Sequence, residues 1–331
     1  MKRYSRIILL WSMMLFGALN ARAAATLLGD ANDDGNVTIS DVTMLIDYLM
    51  GSNQAINANN ADVSRNGILS IEDVTILIDY LLGAIEFPPI EQDIEEIFTI
   101  NGVDFVMVQV EGGTFTMGAT PEQGTDPSSK EKPAHQVTVA SYSIGQAEVT
   151  QALWIAVMGS NPSYFTGYSL PVERVSWEDC QQFITTLNKL TDRNFRMPTE
   201  AEWEFAARGG NMSMGYKYAG SNDLLSVAWY SYNDSWELRG TGYHGTHNVA
   251  TRMPNELNLY DMSGNVHEWV QDWYGNYSNE ALTDPIGPMT GTERVYRGGS
   301  WYFDEWFCRV SFRNSVTPSY RSYGIGLRLA L

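Results

Sequence analysis

The sequence predicts an irregular, turn-rich α+β domain preceded by a small all-α, calcium-binding module. Three observations carry this. One loop-and-helix pattern occurs twice near the amino terminus, at Asp30–Asp41 and Asp62–Asp73. Beyond residue 98 only three segments combine a helix cap with helix-forming residues. The remainder is rich in Gly, Trp and Tyr, with short strand-like runs between turns.

The chain opens with Lys2, Arg3 and Arg6 before an apolar run from Ile7 to Leu19, then the small-residue stretch Ala21-Arg22-Ala23. That order reads as a secretory signal over 1–24, too short for a stable membrane span. No cysteine follows it and no second apolar run approaches membrane length, so a soluble, exported protein is expected, extracellular, surface-associated or periplasmic. Loss of Lys2, Arg3, Arg6 and Arg22 with the signal makes the formal charge of -18 more negative still. Such a balance disfavours nucleic acid and anionic membranes and suits calcium.

Each repeat places oxygen-bearing side chains where a twelve-residue loop wraps a hard cation, at positions 1, 3, 5 and 12, with Gly at 6. In the first loop these are Asp30, Asn32, Asp34, Gly35 and Asp41, with Asn36 at position 7. In the second they are Asp62, Ser64, Asn66, Gly67 and Asp73, with Ile68 at position 7. The second set carries fewer charged oxygens and should bind more weakly. A helix follows each loop, with apolar stripes Val42, Leu45, Ile46, Leu49 and Val74, Leu77, Ile78, Leu81 that pack against each other. Too few residues separate signal and first loop for a preceding helix, which excludes an ordinary helix-loop-helix hand.

Pro88-Pro89 and the acidic stretch Glu91–Glu96 predict a linker over 84–98, separating a module at 26–83 from a domain at 99–331. This domain opens with strand-like Val106–Val110, and Glu111–Gly118 suggests a hairpin. Thr150 caps a helix over Gln151–Met158, stopped by Gly159. Ser176 and Asp179 form a capping box for a helix whose apolar face holds Cys180, Phe183, Ile184, Leu187 and Leu190. Thr199 and Glu202 repeat the device before Trp203, with Gly209-Gly210 at the stop.

Residues 26–83 resemble the type I dockerin module, a duplicated loop and helix that plugs into cohesin domains of extracellular, often polysaccharide-degrading assemblies. The resemblance puts the recognition pairs at Ile39-Ser40 and Ile71-Glu72. A calcium-stiffened spacer without a partner is the alternative. Further on stand Glu148-Val-Thr150, Pro171–Trp177, Arg196–Gly210, Leu259–Trp269, Arg297-Gly-Gly-Ser-Trp301 and Gly324–Arg328. Residues 103–331 are similar, on these motifs, to the sulfatase-modifying factor family, whose founder is the formylglycine-generating enzyme. The resemblance implies a C-type-lectin-like fold, poor in regular structure.

It also implies an oxidase that holds Cu(I) between two thiolates. Counted from Gly298-Gly-Ser300, the first thiol position is Phe303 and the second is Cys308; Ser300 is kept, but a pocket tryptophan is replaced by His267. Copper and formylglycine chemistry are therefore not expected, and Cys308 and Ser300 are the catalytic candidates only if the oxidase survives. A binding module for a glycan or a peptide is the leading reading. An oxidase using Cys308 and a purely structural component stay open. Trp301, Phe303 and Trp306 should face the cleft.

Cys180 and Cys308 either form one disulfide or stay as core thiols. The resemblance implies a further cation on Asp261, Glu268 and the carbonyls of Gly264 and Val266, against a reading in which Glu268 pairs with an arginine and Asp261 caps a turn. Glu200, Glu202 and Glu204 read as helix-start carboxylates in preference to a glycosidase pair. His244 and His247 read as exposed loop histidines, so iron chemistry is disfavoured.

Overall fold

The computed structural model describes residues 28–32, 34–52, 56–64, 68–83, 95–125, 127–233 and 244–331, apart from the side chain of residue 59. The signal segment, Asn66 and most of the predicted linker lie outside the described residues. Contacts divide the chain into two units, Met1–Gln92 and Asp93–Leu331. Among the described residues no helix is long and apolar enough to cross a membrane.

The first unit contains α1 (Ile39–Leu49), α2 (Ala58–Ala61) and α3 (Ile71–Leu81). Thr38 and Ser70 cap α1 and α3 through full capping boxes that use Asp41 and Asp73, so the last carboxylate of each loop also starts its helix. Gly51 and Gly83 follow the helices in the left-handed region, which ends them without a Cβ penalty. Val42, Leu45, Val74 and Leu77 are buried together with Ala31, Ala61 and Val63, and each fully buried leucine contributes about 2 kcal/mol. Three of the eight predicted stripe residues are not covered: Ile46, Leu49 and Ile78 remain 37–40% exposed, while Leu81 packs on the cluster. Two short helices leave part of each other's apolar face uncovered.

The second unit is an α+β domain of three small sheets. β1 (Glu95–Ile100), β2 (Val103–Val110) and β5 (Tyr142–Gly145) form the first, all antiparallel. Asn101 and Gly102, both at positive φ, make the two-residue turn between β1 and β2. The domain thus starts inside the predicted linker, because the acidic stretch ends in a solvent-facing edge strand. β3 (Gly113–Met117), β4 (His135–Val139) and β7 (Leu282–Thr283) form the second sheet. The hairpin expected over 111–118 is absent from the structure: the chain leaves the first sheet there, and β3 pairs with β4.

The third sheet has the order β10-β6-β8-β9, with β6 (His267–Trp273), β8 (Arg294–Arg297), β9 (Arg313–Val316) and β10 (Ile325–Leu327). β10 runs parallel to β6. Alternation along β6 sends Trp269 into one core with Phe183 and Leu187, and Val270 into another with Trp203 and Phe205. The helices are α4 (Gln151–Met158), α5 (Trp177–Thr191), α6 (Glu200–Ala207) and the single turn α7 (Leu224–Val227). The first three start at the predicted caps Thr150, Ser176 and Thr199. On α5, Cys180, Phe183, Ile184 and Leu187 are buried, but Leu190 is 53% exposed because it lies in the last turn, beyond the packed face.

Candidate functional site

The loop between β8 and β9 carries Ser300, Phe303 and Cys308. Gly298 and Gly299 enter it at φ +95° and +80°; a Cβ on Gly299 would lie 2.6 Å from Cys308 Sγ, so glycine lets the backbone wrap the thiol. Phe303 N donates to Ser300 O at 3.0 Å, and Asp304 then caps a 3-10 turn over Glu305–Cys308 by accepting from Trp306 N. Cys308 is fully buried beside Tyr218, Leu224, Val227 and Tyr230, its thiol facing Asp304 O at 3.7 Å. Burial, then the charges of Asp304 and Glu305, hold this thiol far above its usual range. It is a neutral core group.

Trp301, Tyr302, Phe303, Phe307 and Trp306 follow one another as ring contacts of 4.5–5.1 Å, one continuous aromatic run. Trp301 also meets Phe165 at 5.4 Å and the half-exposed Tyr323 at 6.3 Å. His267 lies 5.0 Å from the Phe303 ring; burial pushes it down to about 3, against a contact with Arg297 O. Its Nε2 and Ser300 Oγ are buried without a hydrogen-bond partner. These residues do not fit a copper dithiolate: the phenyl ring of Phe303 supplies no sulfur ligand, which leaves a single thiol.

Of the two arrangements expected for the cysteines, core thiols are the one present. Cys180 and Cys308 are both free and buried, in separate apolar clusters. Burial raises the Cys180 thiol as well.

The Asp261–Glu268 segment is organised around Arg328. Glu268 accepts from Arg328 Nη2 at 2.7 Å, Arg328 Nε at 3.0 Å and Trp203 Nε1 at 2.6 Å, all fully buried. Asp261 sits at φ 58°; its Oδ2 accepts from Ala250 N at 2.7 Å and its Oδ1 is buried without a partner. Burial raises Asp261 to about 6, against the Ala250 hydrogen bond. The sequence reading missed Glu148 as a third member, although it lies in the quoted Glu148-Val-Thr150 motif. Glu148 accepts from Asn265 Nδ2 and Val266 N, and burial, then Asp261 and Glu268, push it well up. For Glu268 the arginine pair is therefore the arrangement present, and a cation at Gly264 and Val266 would have only Asp261 Oδ1 as an uncommitted carboxylate oxygen.

On α6, Glu202 acts as expected, closing the capping box and pairing with Arg196 at 2.6 Å. Glu200 and Glu204 do more than favour a helix start: Glu200 is gripped by Arg313 at 2.6 Å, and Glu204 by Arg297 and Arg208. All three carboxylates are engaged by arginines, which supplies no free acid pair for glycoside hydrolysis. A second group missed from sequence is Glu173, buried beneath the Tyr164–Phe165 turn, whose amides donate to its Oε1. Burial raises it to about 7, opposed by those hydrogen bonds. His244 is exposed as expected, whereas His247 is buried and stacks on Trp229 at 4.0 Å.

In the first unit, Asp30 accepts from Asp34 N and Gly35 N, and Asp41 from Asn32 N and Thr38 N, so the loop is already coiled around its own carboxylates. Asn36 N donates to Asp34 Oδ1 at 2.9 Å. In the second loop Asp73 accepts from Ser64 N and Ser70 N, and Ser64 Oγ donates to Asp62. Burial opposes ionisation of Asp73, but the Ser64 and Ser70 hydrogen bonds outweigh it and hold the carboxyl below its usual range. Among the described residues no three His, Cys, Asp or Glu side chains converge into a metal cluster. The oxygen-only donor set of each loop nevertheless suits a hard cation. Ile39 and Ile71, the expected recognition isoleucines, are 68% and 72% exposed, with Ser40 and Glu72 exposed beside them; Ile68 is exposed as well.

Comparison with known proteins decides the family. The family model for the sulfatase-modifying factor enzyme 1-like domain matches residues 103–331. The chain belongs to the sulfatase-modifying factor family. A second model, for the dockerin type I domain, matches residues 28–82; such domains generally bind calcium and cohesins and occur in extracellular assemblies. The formylglycine-generating enzyme of Streptomyces coelicolor is 30% identical over 286 residues, covering 67% of this chain and 88% of that protein. The chaperone protein LppX of Paenibacillus barcinonensis is 34% identical over 237 residues, covering 59% and 78%. Among solved structures, Treponema denticola variable protein 1 superposes with TM-score 0.62 at 31% identity, covering 72% of this chain and 99% of that one. PvdO from Pseudomonas aeruginosa gives 0.57 at 26%, covering 71% and 97%. The sulfatase-modifying-factor domain thus has the irregular mixed fold of its structural relatives.

Proposed function

We propose that this protein is exported, held outside the cell through its calcium-loaded dockerin module, and uses its sulfatase-modifying-factor domain to bind a glycan or peptide without transforming it. The carrying observation is Phe303 at one thiol position with a neutral, fully buried Cys308 at the other. A copper dithiolate needs two sulfurs, and with Phe303 in place this loop supplies one, buried and flanked by negative charge. The aromatic run from Trp301 to Trp306 supports a gripping surface, because flat rings bury large area at low entropic cost. The exposed Ile39 and Ile71 support cohesin docking, and the oxygen donors Asp30, Asn32, Asp34, Asp41, Asp62, Ser64 and Asp73 support calcium.

The test is oxidation of a sulfatase-type cysteine peptide by the full chain, with copper, oxygen and reductant supplied. No turnover above a Cys308→Ala control is expected. Turnover that depends on Cys308 would make the protein an oxidase and end the binding-only reading. A glycan array and a peptide pull-down then distinguish a binding module from a purely structural component.

A further inference from the structure

A cavity of about 360 Å³ opens on a different part of the domain, between α6, β4 and the chain that follows β6. Its size is in the range of small-ligand sites. Met117, Leu282, Pro285, Ile286 and Pro288 give it apolar walls, and Asp272, Glu200, His135, Tyr277 and Arg313 bring polar groups to it.

Asp272 and His135 are 4% and 5% exposed. Asp272 Oδ2 accepts from Glu200 N at 2.8 Å, and Oδ1 has no donor among the described residues. His135 Nδ1 lies 3.1 Å from Pro133 O; a carbonyl only accepts, so the ring proton belongs on Nδ1 and Nε2 is a free acceptor. The buried donors nearby are already used. Arg313 gives Nε and Nη2 to Glu200 and Nη1 to Lys130 O and Gly275 O, and Tyr277 gives its hydroxyl to Glu200. Among the buried side chains named here the donors are thus engaged, and Asp272 Oδ1 and His135 Nε2 are the atoms left for a ligand.

From this arrangement we propose that the cavity is a binding site for a small primary ammonium with an apolar tail, its charged head on Asp272 Oδ1 and His135 Nε2 and its tail between Ile286 and Pro288. An ammonium brings three donors and no acceptor, which complements that set. Asp272 supports the assignment independently of the geometry. Burial, then the charge of Glu200, raises it to about 8, with Glu202 acting in the same sense and Arg313 against it; Arg294 is the other nearby cation. An incoming cation supplies the missing counter-charge and lets the carboxyl ionise.

The experiment titrates the full chain with benzylammonium chloride by calorimetry between pH 6 and 9, using benzyl alcohol as the uncharged control. Saturable one-to-one binding is expected, tightening by about tenfold per pH unit up to about pH 8 and level above it, with proton release below pH 8. Asp272→Asn should weaken binding at pH 8 by at least about tenfold and abolish the pH slope. Ile286→Trp, at an exposed position on the cavity wall, should weaken it at every pH while leaving the slope; it serves as the second variant if the first fails to fold. Binding of benzyl alcohol as tight as that of the ammonium, absence of saturation, or indifference to both substitutions would overturn the proposal. None of these results bears on Cys308, so the oxidase question stands apart.

Discussion

Asp272→Asn should make the protein more stable in alkali and leave it nearly unchanged in acid. Asn keeps the shape and can still accept from Glu200 N, so the substitution removes ionisation and little else. The Asp272 carboxyl titrates near 3.8 when free and at about 8 in the folded chain, chiefly through burial and then Glu200. A folded value above the unfolded one means that the native state binds the extra proton. Its stabilising effect is complete below about pH 4 and is lost as the pH climbs through about 8. A gap of about four pH units sets a ceiling of roughly 5–6 kcal/mol; local relaxation and water entry reduce this, so a gain of roughly 3–5 kcal/mol for Asn at pH 8 is expected. For a domain of this size, that is a rise in Tm of about 6–20 °C. Near-ultraviolet circular dichroism melts at pH 4.5, 6.5 and 8.0 read it directly, since Trp273 and Tyr277 line the same cavity. An equal effect at all three pH values, or a loss of stability at pH 8, would refute the idea that a buried proton sits on this carboxyl.

Two further predictions concern the other buried charges and the loops. Arg328→Met should cost about 3–5 kcal/mol, because it leaves Glu268 without its cation beside Glu148 and Asp261; a shift below about 1 kcal/mol in the urea-derived stability would show that Arg328 is not the organising charge. Chelating calcium from the full chain should lower its helical dichroism. Calorimetry should give two calcium affinities, with Asp41→Ala removing the tighter and Asp73→Ala the weaker; dichroism indifferent to the chelator would remove the calcium-dependent tether.

Helix starts were legible because their signal is local. Thr150, Ser176 and Thr199 each accept from the amide three residues ahead, and the sequence contains both partners. The β1–β2 hairpin had an equally local signal in Asn101-Gly102, but the charges at Glu95 and Glu96 made the first strand read as linker. Charge is what protects an exposed edge strand, so the residues that concealed β1 are those that suit its place in the sheet. Pairings across long separations had no such signal. β10 lies along β6 although Ile325 and His267 are far apart in sequence, and Arg313 finds Glu200 across 113 positions. The glutamates of α6 looked like helix-start residues alone because Arg313 and Arg297, which engage Glu200 and Glu204 from outside the helix, lie on the distant β9 and β8.

The same limit governs the chemistry. Phe303 is visible in the sequence as a missing ligand, and that alone removes a dithiolate. The state of Cys308 is not visible, since the same letter stands for a thiolate on copper or a core methyl-sized group. What decides between them is the wall around it: Tyr218, Leu224, Val227 and Tyr230 offer no cation, while Asp304 and Glu305 add negative charge. A thiolate needs a positive or polar surrounding, and this loop provides the reverse. Phe303→Cys supplies the missing donor and leaves that apolar, negatively flanked wall unchanged, so copper titration of this variant tests the wall by itself: weak binding is expected, and tight one-to-one binding would show that the absent sulfur alone had removed the site.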